Sequence, residues 1–182
     1  MLYKYALVKL LKAVLEEPET PLTLRQLAAK AGTSPSAAKA GIDWMTKQGM
    51  LSKNRVGNAV LHKPRLDSPL TRQWKILFNL QALTESGLLD KLSSLPGVSS
   101  LVLYGSAAHG TNDSKSDIDI LVIASERKKI RTSEYAAKLG REVNVSTFTP
   151  SEWRSKAKTS KVFYEQVIIN SIALFGKKPV VL

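Results

Sequence analysis

Apolar residues recur at helical spacing through the first stretch, MLYKYALVKLLKAVLEE, where Lys4, Lys9, Lys12 and Glu16 share one stripe among leucines, Val8 and Val14. The apolar arc is wide, so this helix has surface left for packing beyond its own domain, a homodimer being one use for it. Thr23 then reads as an N-cap, with Gln26 completing a capping box and Leu22 and Leu27 spaced as its hydrophobic staple. Gly32 stops that helix. Ser34 caps the next one, with Pro35 in its first position, and the pattern runs through Ile42 and Met45 to Gly49. Residues 50–63, MLSKNRVGNAVLHK, switch to two short strand-like runs around Gly57 and Asn58, a two-residue hairpin signal.

Farther along, Asp67 or Ser68 caps a helix with Pro69 in its first turn, and Leu70, Trp74, Leu77 and Phe78 recur on it until Ser86 and Gly87. That aromatic stripe is read as packing rather than as a platform for bases. A shorter helical piece carries Leu88, Leu89, Leu92 and Leu95 before Pro96 and Gly97 force a turn. Two continuous apolar runs, Leu101–Tyr104 and Ile118–Ile123, read as buried strands, and residues 142–148 as a third. Thr149, Pro150, Ser151 and Glu152 form a second capping box, so Trp153 is expected to pack at a helix start. No internal repeat or low-complexity tract interrupts the pattern.

The chain has 182 residues, enough for one ordinary domain or two small ones. It has no cysteine and two histidines, which excludes disulfide scaffolds, thiolate catalysis and Cys-based metal sites, and nearly excludes a His-built one. Lysines interrupt the N-terminal apolar run before a signal-peptide core can form, and no segment approaches the roughly 18 apolar residues of a spanning helix. A soluble, cytoplasmic protein is expected. The net charge of +12 points to a polyanionic partner, and its distribution sharpens the point. Between Thr20 and Arg65 there are eight basic residues against the single acid Asp43. A bland solvated surface mixes both signs; this segment does not.

Helix, helix, three-residue turn, helix and basic hairpin is the order of a winged helix-turn-helix, and residues 1–66 resemble that DNA-binding family. The resemblance implies that the Ser34–Gln48 helix enters the major groove while the hairpin follows a phosphate backbone. The groove-facing candidates are Ser36, Ala37, Lys39, Ala40 and Asp43, with Lys53 and Arg55 on the wing. This set lacks the Arg, Asn or Gln of bidentate base contacts, so binding driven by phosphate with modest sequence discrimination is expected. Winged helices also serve as protein–protein modules, which is the alternative use of this segment.

The remaining chemistry lies in residues 101–123, LVLYGSAAHGTNDSKSDIDILVI. Gly105 and Ser106 end the first strand, and Asp117 and Asp119 open the second with Ile118 between them. Alternation sends both carboxylates to one face. Two neighbouring negative charges repel, and an opposing Mg²⁺ is the usual reason for such a pair. Glycine at 105 admits a phosphate close to the backbone, and Ser106 adds a hydroxyl and an N–H. Singly each signal is weak; together they resemble the nucleotidyltransferase superfamily related to DNA polymerase β, whose signature is a strand ending in Gly-Ser followed by Asp-x-Asp on the next strand. Residues 141–156 and 162–176 resemble later parts of its small members.

That resemblance implies an α+β fold with a small mixed sheet packed by helices, and transfer of a nucleoside monophosphate from an NTP to a hydroxyl with one or two Mg²⁺ ions. Asp117 and Asp119 would be metal ligands, and Gly105 and Ser106 would hold the triphosphate. Two positions depart from the family pattern. Its usual third carboxylate falls at Asn144, a neutral amide that cannot take a proton, with Glu142 two residues earlier as a substitute metal ligand. His109 stands where many relatives carry arginine. The expected plan is therefore a winged helix over 1–66, a helical linker over 67–97 and a nucleotidyltransferase-like domain over 98–182. The leading reading is a transferase coupled to a DNA-binding module. The alternatives are a transcriptional regulator that senses nucleotide and an antitoxin-like modifier of a partner protein. Glu126–Arg131 (ERKKIR) is read as a solvated loop or helix start, and Lys177–Lys178 as solvated charge.

Overall fold

The computed structural model describes residues 5–127 and 129–181; Lys4, named above, and Lys128, within the ERKKIR run, lie outside the described residues. The chain divides into two compact units, residues 1–78 and 79–182.

The first unit is built on local signals read directly from the chain. Helix α1 (Ala6–Glu16) buries Leu10, Leu11, Val14 and Leu15. Thr23 caps α2 (Leu24–Ala31): its hydroxyl accepts from the Gln26 N–H, and the Gln26 side chain accepts from the Thr23 N–H. Gly32 closes that helix in the left-handed region at φ 58°, where a Cβ would be strained. Ser34 caps α3 (Pro35–Lys47), with Pro35 in the first turn. Strands β2 (Leu51–Val56) and β3 (Ala59–Pro64) flank the Gly57–Asn58 loop in an antiparallel hairpin. A two-residue strand, β1 (Leu22–Thr23), adds to the hairpin through Leu22–His62 and Thr23–Leu61, giving the order β1-β3-β2. Its shortness leaves no alternation to read in the sequence. The core joins α1, α2, α3 and the hairpin base, with Leu27, Ile42, Met45 and Met50 almost inaccessible. Lys75, itself buried, donates to the Leu15 carbonyl at 2.9 Å and so satisfies the C-terminal end of α1.

Helix α4 (Pro69–Ser86) supplies its first part to this unit and residues 79 onward to the second. Helix α5 (Leu88–Ser93) follows, and Gly97 turns the chain at φ 68° into β4 (Val98–Tyr104). The strand starts three residues before its apolar core, where Val98 and Ser99 still pair or lie along the sheet. Next come α6 (Gly105–His109), β5 (Ile118–Ala124), α7 (Ser133–Leu139) and β6 (Val143–Phe148). Helices α8 (Pro150–Thr159) and α9 (Lys161–Asn170) and strand β7 (Ile172–Gly176) complete the unit. The sheet order is β6-β5-β4-β7, with β5 and β6 parallel and the other neighbours antiparallel, so the sheet is mixed.

Alternation along the strands divides the core. One face of the sheet carries Leu101, Leu103, Ile120 and Val122, packed with Leu83, Leu88 and Leu92. The other carries Val102, Leu121 and Ile123 under Trp153 and Val167. Thr149 and Glu152 make the reciprocal capping box expected of them, and Trp153 is buried at the start of α8, its Nε1 donating to Pro179. Lys178 is not simply solvated: its ammonium donates to the Ile168 carbonyl near the end of α9, where the helix carbonyls lack partners. Among the described residues, no helix is long and apolar enough to cross a membrane.

Candidate functional site

The second unit gathers its chemistry at one end of the sheet face that α8 and α9 cover. Antiparallel pairing sets Tyr104 opposite Asp119, and parallel pairing sets Asp119 opposite Asn144. Asp117 precedes the strand by one residue rather than lying in it, yet its carboxylate reaches the same place. Asn144 Nδ2 donates to Asp117 Oδ2 at 3.1 Å and to Asp119 Oδ1 at 3.2 Å. One amide thus touches both acids. On the opposite flank Gly105, at φ 71°, presses its backbone against Asp119: a Cβ there would sit 2.7 Å from Oδ2. Gly105 and Ser106 begin α6 rather than ending β4, and no side chain caps that helix start.

The geometry unites Gly105, Ser106, Asp117, Asp119 and Asn144. It does not bring in Glu142, which is exposed just before β6 and takes part through its backbone carbonyl, the acceptor for Ile118 N–H at 2.9 Å. Among the described residues, no group of three or more His, Cys, Asp or Glu side chains assembles at metal-binding distance. Two converging carboxylates are nevertheless oxygen donors of the kind that takes Mg²⁺ jointly with substrate phosphates, since Mg²⁺ seldom needs an all-protein cage. His109 ends α6, and its Nδ1 lies 2.7 Å from the Gly105 carbonyl, so it braces the Gly-Ser turn from behind.

Several contributors carry no motif. Arg141, half-buried, donates from Nε to the Ser116 carbonyl and from Nη2 to the Asp117 carbonyl at 3.1 Å. Burial pulls its guanidinium below the ordinary arginine value, while the charges of Asp113, Asp117 and Asp119 push the other way. Asn79 ties the same loop from another side, donating to the Ala107 carbonyl at 2.8 Å and to the buried Asn112 at 2.9 Å. Asp113 closes the loop itself: its Oδ1 accepts from the Lys115 and Ser116 N–H groups and from the Ser116 hydroxyl, which holds its carboxyl below the usual range. The segment that delivers Asp117 is therefore fastened at both ends. Opposite Asp119, burial raises the pKa of the Tyr104 hydroxyl; Ser146 opposes this, and the charge of Asp119 adds to it.

In the first unit, Ser36, Lys39, Ala40 and Asp43 are exposed on α3, and Lys53 and Arg55 are exposed on β2. Lys39 pairs with Asp43 at 2.8 Å, and Lys53 approaches the other carboxylate oxygen at 3.5 Å. The single acid of this basic stretch thus sits between two of its cations. Arg55 Nε donates to the Gly57 carbonyl at 3.2 Å. Beneath them His62 is buried at 6% exposure with Nδ1 unpartnered. Burial lowers its pKa; Lys53 lowers it further, and Asp43 opposes the shift.

Comparison with known proteins bears on the second unit. No curated protein matches the chain significantly. Among solved structures, a toxin–antitoxin with AMP-PNP is similar at 26% identity, covering 55% of this chain and 75% of that one, with a TM-score of 0.39. TrmBL2, an archaeal chromatin protein described as having a novel mode of DNA binding, is similar at 14% identity, covering 80% of this chain and 65% of that one, with a TM-score of 0.25. Residues 85–170, which include Gly105, Ser106, Asp117, Asp119 and Asn144, match the Nucleotidyltransferase domain family.

Proposed function

We propose that the second unit binds an NTP with Mg²⁺ and transfers its nucleoside monophosphate to a hydroxyl acceptor, and that residues 1–66 are a winged helix that brings this activity to DNA. The observation that carries the first part is the convergence of Asp117, Asp119 and Asn144 within hydrogen-bond distance beside the uncapped Gly105–Ser106 turn. Asp117 and Asp119 would hold the metal, which supplies charge neutralisation at the phosphates when bound. Gly105 leaves room for a phosphate against the backbone, and Ser106 offers its hydroxyl and N–H. Arg141 and Asn79 keep the Asp117 loop in place, so the second carboxylate is positioned before substrate arrives. The acceptor's proton has no carboxylate waiting at position 144, because an amide cannot take it.

The supporting feature for DNA is the basic hairpin beside α3, with Lys53 and Arg55 as phosphate contacts and Ser36 and Lys39 at the groove. Engagement of Asp43 by Lys39 and Lys53 reduces the charge they offer, which fits modest affinity and discrimination. One observation favours a second reading, a nucleotide-sensing regulator: Asn144 satisfies both carboxylates where a third acid would complete a catalytic site. Incubation with α-labelled NTPs, Mg²⁺ and candidate hydroxyl acceptors separates the two. Labelled product with release of pyrophosphate, abolished in Asp117→Asn and Asp119→Asn, supports transfer. Nucleotide binding without any labelled product supports the sensor.

A further inference from the structure

The two acids of the site are held in place, and the group between them is free to turn. Asp119 lies within β5, and the Gly105 backbone stands against its carboxylate. Asp117 comes one residue before the strand, where Arg141 holds its carbonyl at 3.1 Å. Parallel pairing fixes the Asn144 backbone opposite Asp119. The Asn144 side chain, by contrast, is exposed, and its hydrogen bonds are the two to the acids, at 3.1 and 3.2 Å. Rotation about its side-chain torsions releases both without moving the sheet.

Chemistry dictates which end of the amide faces the acids. Ionised carboxylates only accept, so the NH₂ group turns toward them; the reverse orientation would set a carbonyl oxygen against two anionic oxygens. The nitrogen thus stands between two carboxylates, the position a cation takes. It fills that position weakly. The amide carries no charge to offset the repulsion of the acids, and both bonds lie at the long end of the N–H···O range. Lysine or arginine there would neutralise the pair permanently, and a third carboxylate would add a further like charge. Asparagine bridges the acids and still yields to a divalent ion.

Resting on the nucleotide reading of this site, we infer that Asn144 is a displaceable latch. Its amide holds Asp117 and Asp119 together, opposes entry of a free divalent cation, and swings out when the cation arrives with its NTP. A cation carried by a triphosphate brings added contacts at the Gly105–Ser106 turn, which offset the two lost hydrogen bonds. A bare ion brings none, so the latch lowers its affinity by about tenfold. Asn144 is then a positioning residue that selects the metal–nucleotide complex over the free ion.

The test titrates Mn²⁺, followed by its EPR signal, into the full chain without nucleotide. Asn144→Ala is expected to bind Mn²⁺ about tenfold more tightly than the native chain. Adding Asp119→Asn to that variant is expected to remove the gain, which places it at this pair of acids. Weaker binding in Asn144→Ala would make the amide a metal ligand and overturn the latch, as would equal binding or a gain that survives Asp119→Asn. A second measurement needs no variant in the binding step. In proton–nitrogen correlation spectra of the native chain, the Asn144 side-chain signals, assigned by their loss in Asn144→Ala, are expected to hold their positions with Mg²⁺ alone. They are expected to shift when α,β-methylene ATP, whose α–β linkage resists cleavage, is added at the same Mg²⁺ concentration. An equal shift with Mg²⁺ alone, or none with the complex, overturns the latch. The two readings also fail separately. Absence of both Mn²⁺ and nucleotide binding in the native chain and in Asn144→Ala removes the nucleotide reading and the latch with it. Nucleotide-dependent Mn²⁺ binding, with affinity for the free ion indifferent to Asn144→Ala, removes the latch alone.

Discussion

Arg141 offers the sharpest perturbation, because it touches the loop leading to Asp117 only through backbone. In Arg141→Ala, the carbonyls of Ser116 and Asp117 lose their guanidinium donors. The contact to Asn79 at 3.4 Å is too long to add much. Hydrogen bonds from a charged group contribute about 1.5–3 kcal/mol each, and the low end applies here because the side chain is half-buried and water replaces part of the loss. Two such bonds give about 3 kcal/mol, or on the order of 100-fold in the opening equilibrium of the loop. Hydrogen-exchange mass spectrometry on peptides covering 110–120 reads that change directly. The same variant is expected to bind Mg²⁺–NTP about tenfold more weakly, because the freed loop must be ordered again on binding. Arg141→Lys keeps the charge and one donor, and it is expected to recover part of the affinity. Faster exchange with unchanged nucleotide affinity would reduce Arg141 to a structural brace. Unchanged exchange would refute the reasoning outright.

Three other outcomes follow from the same geometry. Gly105→Ala places a Cβ against Asp119 Oδ2 at a left-handed φ, so it is expected to lower stability by about 1–2 kcal/mol in chemical melts and to weaken nucleotide binding further. Asn144→Asp supplies the missing base beside Asp119; a rise in labelled transfer on the order of 10²-fold is expected, and no rise would mean that position 144 does not limit the reaction. His62 has its folded-state pKa below the unfolded value of about 6.5, so it is neutral in the fold while the unfolded chain takes up a proton. Stability is then lost as pH falls below about 6.5, until the folded-state pKa is passed. A urea melt followed from about pH 7.5 to about pH 5.5 should show this loss in the native chain and less of it in His62→Leu; equal losses would exclude His62 as the cause.

How far the sequence carried depended on whether the signal was local. The Thr23 and Thr149 capping boxes, the Ser34–Pro35 helix start and the Gly57–Asn58 hairpin each consist of neighbours within four residues, and the structure has all of them. The Gly-Ser and Asp-x-Asp elements were legible because their residue types conflict with ordinary strand composition. Strand β1 was invisible because two residues cannot show a period. Helix α7 was missed because a charged run leads into it, and Tyr135 is its single buried residue. Asn79, Asn112 and Arg141 have no local pattern at all. They become partners only after α4, the 110–117 loop and the start of β6 come together. Nor did the strand assignments give the parallel register of β5 and β6, which sets Asn144 beside Asp119. Glu142 shows the converse: sequence proximity made it a candidate, yet its contact is through its backbone carbonyl, which accepts from Ile118 N–H.

The central claim is that Asp117 and Asp119 form one metal-dependent nucleotide site with the Gly105–Ser106 turn. Isothermal titration of the full chain with ATP and the other NTPs, with Mg²⁺ present and with EDTA instead, tests it most directly. Saturable binding that requires Mg²⁺ and is lost in both Asp117→Asn and Asp119→Asn is the predicted result. Binding that ignores Mg²⁺ and survives both substitutions would contradict the account.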